Sequence, residues 1–184
     1  MNEVLKTIKS RRSVRAYKPE QIKDEELSLI IEAGIYAPTG HNDQPWHFTV
    51  IQDRELIRDI NIKCKLKMAE SNIEWARNIA ANPNSDITYN APCLIIVSGR
   101  KTGVSWQIDC SAAVENMLLA AESLNIGSVW LGLVRFYFSY DGAAKSLGIP
   151  EGYEPYFAAA FGYKKNDGEQ PAPERDYDVV NYIR

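Results

Sequence analysis

Two short stretches of this chain carry residue types suited to gripping an anion and a flat polar ring. The first is Ser10-Arg11-Arg12-Ser13-Val14-Arg15. In an extended segment successive side chains alternate, so Arg11, Ser13 and Arg15 share one side, with Arg12 and Val14 on the other. Two guanidiniums flanking a hydroxyl make a phosphate clamp, because arginine binds phosphate through charge-assisted, often bidentate, hydrogen bonds. The same run also reads as a solvated basic turn. The second stretch is Ala37-Pro38-Thr39-Gly40-His41-Asn42-Asp43-Gln44-Pro45-Trp46-His47-Phe48. Pro38 and Pro45 fix φ and withhold N–H donors, so neither a helix nor a paired strand runs through it. Thr39, Gly40, Asn42 and Asp43 are turn formers. The expected result is a stiff loop that turns its amides outward and anchors Trp46 inward, which suits a flat polar ligand. A well-packed helix-to-strand turn would use the same residues.

Other chemistries find little support. His41 and His47 are the only histidines and lack a histidine–carboxylate ligand spacing, so no transition-metal site is expected. His41 is weighed as a substrate contact against a solvent-facing loop histidine. Cys64, Cys93 and Cys110 are odd in number, widely spaced and without a Cys-x-x-Cys pair. They fit a reducing cytosol and buried, inert thiols. Asp109 and Glu115 lack a second carboxylate at acid/base spacing. Lys63, Lys65 and Lys67 are weighed as cofactor contacts against ordinary solvated helix lysines.

Composition bounds the classes. The 184 residues are 45% hydrophobic and 24% charged, with net charge −3, an ordinary globular profile. A pI near 5.5 argues against a nucleic-acid partner. No run of about eighteen apolar residues is available to span a membrane. The N-terminus lacks an apolar signal-peptide region, so a cytoplasmic protein is expected. Residues 1–184 read as one domain, without repeats or linkers.

The elements that must position these stretches follow from periodicity. Glu3 to Lys9 is a short helix burying Val4, Leu5 and Ile8. Lys23 to Ala37 is a second, with acidic residues in its first turn and Leu27, Ile30, Ile31, Gly34 and Ile35 inward. His47 to Gln52 alternates as a strand. Asp53 to Asn82 is a charged helical region, broken near Ser71-Asn72, that reads as an exposed layer or lid. Asn82 to Asn90 is a loop. Cys93 to Ser98 is a central strand. Trp106 to Asn125 is the strongest helix, with Ala113, Met117, Ala120, Ala121 and Leu124 on one face. Gly127 is expected to terminate it. Ser128 to Val134 is expected to be extended, with Gly132 where bare backbone meets a ligand. Tyr140 to Leu147 is a short helix and Pro155 to Tyr163 a buried strand. Lys164 to Glu174 is a loop or arm. The tail from Asp176 to Arg184 carries Val179, Val180, Tyr182 and Ile183, which need a surface to pack on.

Four places in chain order resemble the FMN-dependent nitroreductase family. Arg11-Arg12-Ser13-Val14-Arg15 is similar to its N-terminal phosphate motif. Ala37 to Phe48 is similar to its Ala-Pro-Ser…Asn-x-Gln-Pro-Trp-x-Phe loop. The core helix leading into Gly127-Ser128-Val129-Trp130-Leu131-Gly132 is the third. The Gly162-Tyr163 strand end followed by Arg175 is the fourth. Thr39 stands where the family often has serine, and Gly40 and His41 make this loop unlike many relatives.

The resemblance implies an α+β fold. Its central, mostly antiparallel sheet is flanked by helices and built into an intertwined homodimer with two FMN sites at the interface. Arg11, Ser13 and Arg15 of one subunit would hold the phosphate and reach the ring's N1–O2 edge, with Arg12 in the same motif. Arg175 would add to the clamp. Pro38, Thr39, Gly40 and Asn42 would come from the other subunit, with Gln44 shaping their loop. Trp130, Leu131 and Gly132 would run along the flavin, a backbone N–H there facing N5 or O4. The implied activity is ping-pong hydride transfer from NADH or NADPH, through the flavin, to nitroaromatics, quinones or similar electron-poor small molecules. No protein nucleophile is needed. No Gly-x-Gly-x-x-Gly fingerprint selects the nicotinamide. Two alternatives stay open. One is a flavin oxidoreductase with a dedicated biosynthetic or dehalogenating substrate. The other is a non-catalytic flavin-binding or storage protein.

Overall fold

The computed structural model describes residues 1–166, 168 and 171–184. The elements run α1 (Glu3–Ser10), α2 (Asp24–Ile35), β1 (Trp46–Ile51), α3 (Arg54–Ala69), α4 (Glu74–Ala81), β2 (Cys93–Arg100), α5 (Trp106–Ser123), β3 (Ile126–Leu131), α6 (Ala143–Ser146) and β4 (Tyr153–Tyr163). One-turn and longer 3-10 segments cover Gly40–Asn42 and Gly132–Ser139.

The apolar run at Cys93 explains the layout. Residues Cys93 to Val97 are wholly buried, which requires cover on both faces. The four strands form an antiparallel sheet in the order β1-β2-β4-β3, so β2 and β4 are central. Cys93, Ile95 and Val97 face α2 and α5, where Ile30, Val114, Met117 and Phe161 close the layer. Leu94 and Ile96 face the opposite way, onto Ile60, Met68, Val134 and Ala160 beneath α3 and the Gly132–Ser139 segment. Each fully buried Ile, Leu, Met or Phe contributes about 1.5–3 kcal/mol through lost water contact. Ala158, Ala159 and Ala160 keep the middle of β4 thin, so helices approach the sheet on either side.

Several expectations are corrected. Val4, Leu5 and Ile8 of α1 are about half or more exposed, and α1 buries no residue. Ile35 at the end of α2 is likewise about half exposed, whereas Leu27, Ile30 and Gly34 are buried. The region 53–82 is broken where expected, between α3 and α4. It is not a detached lid, because Ile57, Ile60, Cys64 and Met68 make α3 a full core layer. Gly127 does not end α5. Asn125 takes the left-handed conformation there (φ 57°), and Gly127 lies within β3. The extended run stops at Leu131, because residues 132–134 already belong to a 3-10 segment.

The polar arm from Lys164 to Glu174 includes residues 167, 169 and 170, which lie outside the described residues. Beyond it, residues 171–184 are exposed and without helix or strand. Tyr177, Val179, Val180, Tyr182 and Ile183 are open to solvent. No helix among the described residues is long and apolar enough to cross a membrane.

Candidate functional site

The basic stretch begins as a helix end. Asn2 caps α1, its Oδ1 accepting from Leu5 N at 3.0 Å. At the other end the last carbonyls of a helix lack partners. Arg12 supplies one: its Nη1 donates to the carbonyls of Lys9, Ser10 and Arg11 at 2.7, 3.1 and 2.9 Å. Arg12 thus caps the end of α1. The chain then docks on β3. Ser13 bridges Ser128 in parallel, and Val14 N donates to Ser128 O at 2.9 Å. Val14 is buried against Gly127, where an added Cβ would come within 2.8 Å of Val14 Cγ1. Tyr17 donates its hydroxyl to Val14 O at 2.6 Å, and burial pushes its phenol far up. The expected alternation holds for Val14, inward, and Arg15, outward. Arg15 lies over the Tyr89 ring at 5.8 Å and donates to Ser13 O at 3.3 Å. Arg11 Nε sits 3.7 Å from Glu115 Oε1, a part-exposed pair from which Arg11 is released at a cost of about 1 kcal/mol or less.

The amide loop is built differently. His41, Asn42 and Gln44 all have left-handed φ, at 54°, 56° and 43°. Such positions cost of order 1 kcal/mol or more each and persist only where neighbours enforce them. Inside the loop, Asp43 N donates to Gly40 O at 3.0 Å, and Gln44 N to Thr39 Oγ1 at 3.4 Å. Gln44 Nε2 donates to Asn42 Oδ1 at 3.0 Å, which couples the two exposed amides into one unit. Outside it, Arg100 at the end of β2 donates from Nη2 to Asp43 O at 2.7 Å and Asp43 Oδ1 at 3.3 Å. Arg100 N donates to Pro45 O at 2.9 Å. Pro38, Gly40 and His41 are exposed, Thr39 is half-buried and Pro45 is buried. Trp46 packs with Phe48, ring centroids 6.4 Å apart, on the α5 face of the sheet.

The third part is the end of β3. Trp130 is half-buried edge-on to Phe157, with centroids 5.0 Å apart. Leu131 is buried. A Cβ on Gly132 would meet no atom within 4 Å, so this backbone borders open space. Arg175 is exposed on the tail.

A single chain does not gather these parts. Ser13 lies outside β3 and the amide loop leads into β1, at opposite edges of the sheet. Four spacings of about 4.8 Å separate them, roughly 19 Å. They also stand at opposite strand ends: Trp46 pairs with Gly99, whereas Ser128 pairs with Phe161 and through it lines up with Cys93. The arginine clamp and the amide loop meet only if a second copy brings one to the other.

Sequence reasoning missed the partners that hold these motifs. Tyr89, with φ 56°, supports Arg15, and Arg100 secures Asp43. Lys63 and Lys67 pair locally with Asp59 and Glu70, and Lys65 donates to the carbonyls of Asn82 and Ser85, so these lysines serve their own helix region. Cys64, Cys93 and Cys110 are free and buried, and desolvation pushes each thiol up to about 12. Burial of this kind keeps a thiol protonated and inert. No cluster of metal-ligating side chains occurs among the described residues.

Comparison with known proteins matches residues 8–163 to the model described as "Nitroreductase family". A protein of Archaeoglobus fulgidus, provisionally named NADH dehydrogenase/NAD(P)H nitroreductase, is 37% identical over 168 residues, which are 91% of this chain and 88% of that relative. Among solved structures, a nitroreductase with bound FMN from Bacteroides fragilis superposes with a TM-score of 0.89 at 35% identity. A second, from Desulfitobacterium hafniense, also with bound FMN, gives 0.91 at 31%. Both pairs are covered over 100% of each chain.

Proposed function

The chain belongs to the nitroreductase family, and on that premise we propose that it is an FMN-dependent oxidoreductase. It draws on NADH or NADPH and reduces nitroaromatics, quinones or similar electron-poor molecules. The observation that carries this reading is the full-length likeness to nitroreductases with FMN bound.

The donor set fits the cofactor. Arg11, Ser13 and Arg15 present two guanidiniums and a hydroxyl on a backbone pinned to β3, chemistry suited to a phosphate. The coupled Asn42–Gln44 amides offer a donor and an acceptor to a flat polar ring. A side chain at Gly132 would meet open space, so bare backbone there leaves room for a ring. When bound, FMN accepts a hydride from the nicotinamide and passes reducing equivalents to the acceptor. Arg11 and Ser13 bind the phosphate, with Arg175 contributing from the tail. Arg15 stabilises negative charge at the N1–O2 edge of the ring. Pro38, Thr39, Gly40 and Asn42 hold the ring from the second subunit, while Gln44 sets their loop. Trp130 and Leu131 exclude water along one side. Arg12, in the same motif, adds a third guanidinium to the clamp and braces it by capping the end of α1.

Residues 1–184 form one flavin-binding unit, working as a homodimer in the cytoplasm. Three features favour two copies. The clamp and the loop lie too far apart in one protomer. A groove of about 430 Å³ between α1, α2 and α5 is lined by Val4, Ile8, Tyr36, Leu119 and Ala120. The tail carries apolar side chains that are largely exposed. A dimer covering these surfaces would bury more than about 2,000 Å².

The test is the visible spectrum of the purified protein, before and after anaerobic NADH and NADPH. Flavin bands that bleach, then return with an added quinone or nitroaromatic, are expected. A yellow protein that neither nicotinamide bleaches would replace turnover by flavin storage. A colourless protein that takes up no FMN would overturn the assignment.

A further inference from the structure

We propose that Arg100 and Asp43 form a positioning pair that sets the affinity of this protein for its flavin without touching it. The proposal rests on the amide loop being a flavin contact.

The loop cannot keep its shape alone. Three of its non-glycine residues, His41, Asn42 and Gln44, hold left-handed φ, a state that needs outside reinforcement. Its internal bonds are few, and the one from Gln44 N is long, at 3.4 Å. The strongest outside hold is Arg100, which binds both the main chain and the side chain of Asp43. Asp43 lies between Asn42 and Gln44, so this anchor fixes the direction of both amides.

A second contact confines Asp43 from the other side. An added Cβ on Gly103 would lie 2.6 Å from Asp43 Oδ2, so the carboxylate fills the space that a side chain at position 103 would need. Gly40 is close on the same side, its Cβ position 3.1 Å from Ser105 Oγ. The turn from Arg100 to Ser105 is thus a mould for the loop.

Burial identifies the kind of work involved. The Arg100 and Asp43 side chains are 40% and 38% exposed. Ion pairs that open contribute little to global stability. Their removal should therefore change the loop's geometry far more than the fold.

The experiment uses deflavinated wild-type protein and the variants Arg100→Ala, Arg100→Lys and Gly103→Ala. Each is titrated with FMN by fluorescence quenching and melted without flavin, and exchange of the Asp43 and Gln44 amides is followed. Arg100→Ala is expected to weaken FMN about tenfold or more, the loss of one charge-assisted anchor. It should speed amide exchange in the loop and move the apoprotein melting temperature by about 2 °C or less. Arg100→Lys keeps the charge without the fork and should recover part of the affinity. Gly103→Ala should weaken FMN in the same direction, although Arg100 is intact, because it displaces the Asp43 carboxylate. Unchanged exchange in Arg100→Ala overturns the anchor itself. Faster exchange with unchanged FMN affinity overturns its link to the flavin. A fall in melting temperature of about 10 °C or more would make Arg100 a structural residue instead. Wild-type protein that fails to take up FMN overturns the underlying functional reading as well, and is recognised before any variant is compared.

Discussion

The two halves of the proposed site solve the same problem in opposite ways. The clamp from Ser13 to Arg15 is joined to β3 by backbone hydrogen bonds, packs Val14 into the core and uses no left-handed residue. The loop from Thr39 to Gln44 is mostly exposed, holds three left-handed non-glycine residues and relies on an arginine from another strand. A phosphate is recognised by charge, which tolerates a simple, rigid backbone. A ring edge is recognised by the direction of individual donors and acceptors, and reaching that direction can require backbone conformations that are costly elsewhere. The clamp is expected to be stiff because it belongs to the sheet, and the loop to be accurate only while its anchor lasts.

The strongest way to break this comparison is to remove the charge. Arg11→Ala combined with Arg15→Leu should lower FMN affinity about a hundredfold or more, since each charge-assisted contact contributes about 1.5–3 kcal/mol. Flavin titration checks it, and unchanged affinity would move the phosphate elsewhere. A matched pair of packing changes sharpens the contrast. Gly127→Val drives new atoms into buried Val14 and should cost about 1–3 kcal/mol, lowering the melting temperature by roughly 3–10 °C. Gly40→Ala meets only the Ser105 hydroxyl, at 3.1 Å, which a shift of a few tenths of an ångström relieves, and should cost about 1 kcal/mol or less. Equal losses of stability in thermal melts would erase the distinction between packed clamp and adjustable loop. The smallest effect is a gain: Glu115→Gln frees Arg11 from its exposed partner and should tighten FMN about two- to threefold. That change is read in the same titration.

The sequence discloses what local rules decide. The continuous apolar run at Cys93 announces a strand covered on both sides, and the alanine-rich face of α5 announces a core helix. The proline-bounded loop and the break between α3 and α4 follow from residues known to interrupt helices. What stays hidden depends on distant neighbours. The apolar stripe of α1 reads as core, yet the chain leaves it open, because periodicity identifies a face without identifying what covers it. Glycine is the more frequent helix terminator, which points to Gly127, yet asparagine also tolerates left-handed φ and Asn125 takes that place. Alternation sets Arg12 apart from Arg11 and Arg15, but does not reveal that the carbonyls at the end of α1 are its partners. Asp43 and Arg100 stand 57 residues apart, and no spacing rule links a loop carboxylate to an arginine at a strand end.

The placement of the three thiols has a practical consequence. Cys64 lies in the layer under α3, whereas Cys93 and Cys110 lie in the layer under α5. Each is silent while its own layer stays shut and becomes alkylatable when that layer opens. The protein thus carries a separate chemical clock on either side of its sheet. Pulse alkylation read by peptide mass would time the two openings independently, and would tell whether the layers breathe together or one releases first.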